Sequence, residues 1–153
     1  MSKIFLNIPD NIEDIINCYE VEQFDCVYRA VRHKGKPVPK DFYPTFDDDE
    51  QKAEIEAALL KGGMANAVAS QKDLEDKPSY YAVSLSISKE YLKDKFWRRK
   101  KTRYPSILCG HTDSAKGKAH MDDEVHVSYF LFNYEDVDCN PYNDFNEDEC
   151  IDE

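Results

Sequence analysis

The stretch Tyr80–Ile87 (Tyr-Tyr-Ala-Val-Ser-Leu-Ser-Ile) constrains the fold more than any other part of the chain. Read with a period of two, Tyr81, Val83, Leu85 and Ile87 fall on one face and Tyr80, Ala82, Ser84 and Ser86 on the other. Strict alternation of this kind marks a strand with one face on a core. The hydroxyls of Ser84 and Ser86 then serve either solvent and turn chemistry before the next helix or a nucleotide-lined cleft.

Three other segments read as strands: Phe24–Arg32, Pro105–Cys109 and Glu124–Phe132, the last apolar on both faces and so expected inside the sheet. In the first, Phe24, Cys26, Tyr28 and Ala30 share a face, which turns Arg29 to the opposite side with Val27 and Val31. Lys3–Ile8 suits either a short strand or an extended arm. Helices are expected from Asp10 (Ile12, Ile15, Ile16 and Tyr19 on one stripe), from Asp47–Glu50 to Lys61, and from a Ser88 cap to about Arg99. Met64–Ala69 is ambiguous, Gln71–Lys77 reads as a polar loop, and so does Gly110–Met121. The expected fold is α+β: a single small mixed or antiparallel sheet with two or three packed helices over residues 1–134, followed by an acidic, flexible tail over 135–153.

The tail expectation comes from charge. Of the net −11, nine negative charges and no base lie between Asn133 and Glu153, leaving −2 for the rest. Seven of the 20 bases fall between Lys93 and Arg103, interleaved with Trp97 and Tyr104. Nucleic-acid binding needs several phosphate contacts, and the remaining surface is neutral or acidic, so this run reads as a solvated helix end. No apolar run reaches the roughly 18 residues of a membrane span. Met1–Phe5 lacks the apolar region of a secretory signal, and five scattered cysteines form no disulfide framework, so the expected location is cytoplasmic.

For chemistry, Cys109, His111, His120 and His126 are of zinc-ligand type, but their spacing matches no compact zinc pattern, and no metal is assigned. No Gly-x-Ser-x-Gly elbow of a hydrolase is present. Arg29 lies in Val-Tyr-Arg-Ala-Val, the serines in Val-Ser-Leu-Ser, and Asp122-Asp123-Glu124-Val125 leads into the last strand. In that order the chain resembles the arginine–serine–glutamate class of ADP-ribosyltransferases. The resemblance implies that Arg29 and Ser86 bind NAD, with Arg29 on its phosphates, and that Ser84 orients the site. It further implies that Glu124 bonds the nicotinamide ribose and stabilises an oxocarbenium-like transition state, and that Asp122 selects the acceptor. Leu85 stands in the middle of the serine motif, Ala82 where the family has an aromatic, and Asp122 is one methylene shorter than the family's residue. The alternative is a non-enzymatic module that binds a protein partner through the acidic aromatic tail and the basic 93–103 helix end.

Overall fold

The computed structural model describes residues 5–98 and 102–151. Six strands, β1 (Val27–Val31), β2 (Val83–Ser86), β3 (Ser106–Gly110), β4 (Gly117–Met121), β5 (His126–Leu131) and β6 (Phe145–Cys150), form one antiparallel sheet of order β4-β5-β2-β1-β3-β6. The helices among the described residues are α1 (Asp10–Asn17), α2 (Asp49–Leu60), α3 (Met64–Glu75) and α4 (Lys89–Phe96). The architecture is the expected α+β fold, with one helix more than the two or three expected.

Register sorts the side chains. Arg29 pairs with Leu108, Leu85 with Val127, and Val83 with Tyr129, so these residues share one face. That face carries the larger core, including Val27, Val31, Leu108, Val127, Tyr129 and Leu131. Among the described residues no α-helix contributes to this cluster; Phe42, Tyr43 and Phe46, in and between the 3-10 turns Pro39–Phe42 and Thr45–Asp47, and Tyr134 pack on it instead. The opposite face takes Phe130 together with Ile12 and Ile16 of α1, whose neighbour Ile15 is 42% exposed. Leu92 of α4 is buried, while α2 buries no residue and stands with α3 as an outlying hairpin. Each fully buried aliphatic or Phe side chain contributes about 1.5–3 kcal/mol relative to exposure.

The C-terminal segment departs most from expectation. Residues 135–151 belong to the folded domain rather than to an appended tail. Phe145 and Tyr134 are each 1% exposed, and β6 pairs with β3 from Gly110↔Phe145 to Ser106↔Cys150. Gly110 permits this docking, because a Cβ there would come within 2.5 Å of the Phe145 ring. The missing bases come from elsewhere in the chain. Lys89 Nζ lies 2.9 Å from Asp148 Oδ2, and Lys93 Nζ lies 2.9 Å from Glu149 Oε2.

Smaller corrections are local. Gly117–Met121 is strand β4, because its backbone pairs with β5 from Gly117↔Leu131 to Met121↔Val127. Gln71–Glu75 continues helix α3 instead of looping. Pro78 starts a 3-10 turn through Tyr81, so the alternation becomes a strand only from Val83, and both tyrosines are buried. The helix capped by Ser88, whose Oγ accepts from Tyr91 N at 3.1 Å, ends at Phe96, and Arg99–Lys101 lie outside the described residues.

Candidate functional site

β1 is laddered to β3 over five residue pairs but to β2 at one, Tyr28↔Ser86. Beyond that pair the two strands are bridged by other groups. Thr45 N donates to the Ala82 carbonyl at 3.2 Å, and Arg29 Nη1 donates to the Ser84 carbonyl at 2.8 Å. A cleft of about 640 Å³ opens along this split, bordered by β1, β2, the 38–51 segment, α4 and Tyr104.

Two arginines of the β1 region line the cleft and differ sharply. Arg32 Nη1 lies 2.9 Å from Asp48 Oδ2 and its Nε lies 3.1 Å from Glu50 Oε2, while its guanidinium sits 5.3 Å over the Tyr104 ring. Burial opposes its charge, but Asp48, Tyr104 and Glu50 outweigh that and raise its pKa. Asp48 also caps α2, accepting from Gln51 N at 3.0 Å. Arg29 has carbonyls instead. Besides Ser84 O, its Nε donates to Asp41 O at 2.5 Å, and its pKa is lowered, chiefly by burial. No carboxylate lies within ion-pair distance of it among the described residues; the Asp41 carboxylate faces His33 Nε2 at 2.8 Å. Nη2 of Arg29 carries no hydrogen bond within the described chain.

His126 also lines the cleft, but from the sheet face of Ser84 and Ser86, across the split from Arg29. Its Nδ1 lies 2.6 Å from Asp122 Oδ2, and Ser128 Oγ donates to the same carboxylate oxygen. The β4–β5 turn that presents Asp122 is fixed by Asp123, which accepts from Val125 N at 2.8 Å and His126 N at 2.7 Å. Those two backbone donors hold the Asp123 carboxyl below its ordinary value.

The expected site residues are thus partly assembled. Arg29 and Ser84 meet, but through the Ser84 backbone, because Tyr28↔Ser86 pairing puts both serine hydroxyls on the sheet face opposite Arg29. Ser86 Oγ is committed to the start of α4, donating to Ser88 O at 3.1 Å and accepting from Ser88 N at 3.0 Å. Glu124 falls in the exposed turn before β5, not in the strand, and it does not line the cleft. Asp122 stands behind His126. The four zinc-type residues have separate partners: Cys109 faces Cys26, His111 lies near Asp144, His120 stacks on Tyr19 at 3.8 Å, and His126 meets Asp122. Sequence reading did not assign Arg32, Asp41, Asp48 or Tyr91 to a cleft. Nothing in their local patterns marks them: Arg32, Asp41 and Asp48 converge through the long 32–48 connection, and Tyr91 joins them from α4.

The chain matches no family model, no curated protein and no solved structure. No helix among the described residues is long and apolar enough to cross a membrane.

Proposed function

We propose that this chain is a small ADP-ribosyltransferase-like protein that binds NAD in the cleft between β1 and β2. The observation that carries the reading is Arg29: a desolvated guanidinium at the split of the sheet, held by two carbonyls, with Nη2 unclaimed. Arg29 is half-buried and has no carboxylate within ion-pair distance among the described residues, which leaves its guanidinium free to meet an anion in the cleft. A diphosphate is suited to that role, because the planar fork makes paired, charge-assisted bonds to phosphate oxygens. Tyr91, 41% exposed at the rim, offers a ring face for one of the two bases. The five free cysteines fit a reducing cytoplasm, where NAD is at hand.

With water as acceptor, the bond between ribose C1′ and the nicotinamide nitrogen breaks and its electron pair leaves with neutral nicotinamide. The water oxygen bonds C1′, and its proton passes to His126, which Asp122 orients through Nδ1. A protein or small-molecule acceptor would replace water at the same carbon. Asp122, which like Glu124 is on the turn before β5 and does not line the cleft, acts only through His126, by orienting its ring and stabilising its protonated form.

The test is nicotinamide release from NAD. His126→Asn should lower the rate by about 10²–10⁴, the usual worth of a positioned acid–base group. Glu124→Gln should leave it unaltered. No release by the intact chain, or an equal loss in both variants, would overturn the assignment. The interaction-module reading draws less support, because its two charged patches answer each other through Lys89, Lys93, Asp148 and Glu149.

A further inference from the structure

A pair of thiols sits on the sheet face opposite Arg29, where nothing in the NAD reading uses it. Tyr28 pairs with Cys109 across β1 and β3, and Cys26, two residues before Tyr28, shares that face. The two sulfurs are 3.7 Å apart, and Cys26 Sγ lies 3.3 Å from the Tyr28 hydroxyl. Cys26 is exposed and Cys109 half-buried. Cys18 and Cys150 have other partners, the Asp14 carbonyl and the Ser106 hydroxyl.

We propose that Cys26 and Cys109 are a dithiol modification site, oxidised to an intramolecular disulfide by a small-molecule disulfide such as oxidised glutathione. From 3.7 Å, each sulfur needs to move less than about 1 Å to reach the roughly 2.05 Å of a disulfide bond. Cys26, as its thiolate, attacks one sulfur of the oxidant; a mixed disulfide forms, and one glutathione leaves as thiolate and takes up a proton. Cys109, after losing its proton, then attacks the Cys26 sulfur and releases the second glutathione. The two protein thiols thus lose two electrons and two protons, and one glutathione disulfide is reduced to two thiols. The division of labour follows from exposure: Cys26 is open to the oxidant, whereas Cys109 is half-buried and its thiol is held up to about 11, chiefly by burial, so it reacts only intramolecularly with the adjacent Cys26 sulfur. The product joins the segment before β1 to β3 across a sequence separation of 83 residues. Such a long closed loop restricts the unfolded chain and stabilises the fold.

The full-length chain is incubated with oxidised glutathione, acid-quenched, alkylated and mapped by mass spectrometry. The expected product has lost the mass of two hydrogen atoms, carries the Cys26–Cys109 linkage, and melts at a higher temperature than the reduced chain. Cys109→Ser should instead accumulate the glutathione adduct on Cys26, and Cys26→Ser should leave Cys109 unmodified. Circular dichroism of both variants confirms that they fold. A stable glutathione adduct on Cys26 of the intact chain, a linkage between any other cysteines, or no reaction at Cys26 would each overturn the proposal. Because the assay contains no NAD, its failure leaves the cleft reading standing, and the reverse also holds.

Discussion

The two neighbours of β1 are held in opposite ways. On the β3 side, five ladder pairs continue into β6, and the acids of β6 meet the lysines of α4. On the β2 side, one ladder pair gives way to a split that an arginine and a coil segment bridge. Backbone pairing satisfies itself and leaves no room for a ligand. Side-chain bridging leaves a gap and a half-buried guanidinium with no carboxylate at ion-pair distance among the described residues. The contrast separates a flank closed by backbone pairing from one held apart by side-chain bridges.

The strongest way to break the contrast is to open the closed flank. Phe145 is 1% exposed in the main core and anchors β6, so Phe145→Ala should cost about 3–5 kcal/mol in denaturant unfolding. A loss below about 1 kcal/mol, the range of a surface substitution, would mean that β6 is an ornament on a five-stranded sheet. Next comes Asp48 on the cleft flank, which answers Arg32 and caps α2. Removing one partner of a buried pair costs about 3–5 kcal/mol, but Arg32 is partly exposed, so roughly 1–3 kcal/mol is expected for Asp48→Ala. A neutral result would show that Arg32 resembles Arg29 and needs no carboxylate. The smallest effect belongs to Lys93→Met, which removes a solvent-screened pair with Glu149 and should leave the denaturant midpoint close to that of the intact chain.

The split also explains what the sequence could and could not reveal. Periodicity in Val83–Ser86, Val27–Val31 and His126–Leu131 was legible because alternation is a local signal of a buried face. The caps at Asp48 and Ser88 were legible for the same reason, each being a side chain bonded three residues ahead. β4 and β6 were not legible. Gly-Lys-Ala-His-Met alternates but offers only Ala119 and Met121 to the core, with Gly117 reading as a turn, while Phe-Asn-Glu-Asp-Glu-Cys lacks an apolar stripe and becomes a strand through β3, some 40 residues away. Charge counting misread β6 because Lys89 and Lys93 are 59 and 56 residues from their partners Asp148 and Glu149. In the site, Arg29 and the serine strand were found, since each sits on a strand with a readable period. Glu124 was placed on a strand that begins two residues later at His126, and that offset moves its carboxylate onto a turn. The pairing of His126 with Asp122 at i, i+4 across a hairpin bend has no signature that separates it from an ordinary polar turn.

The most direct measurement is a calorimetric titration of three ligands, NAD, ADP-ribose and nicotinamide riboside, into the intact chain and into Arg29→Lys. If the split holds a diphosphate on Arg29, NAD and ADP-ribose bind with similar affinity, and nicotinamide riboside, which has no diphosphate, does not bind. Lysine keeps the charge but not the fork, so Arg29→Lys, shown folded by its melting curve, should weaken both diphosphate ligands by about tenfold or more. Absence of NAD binding, equal binding of nicotinamide riboside, or affinity unchanged in Arg29→Lys would contradict it.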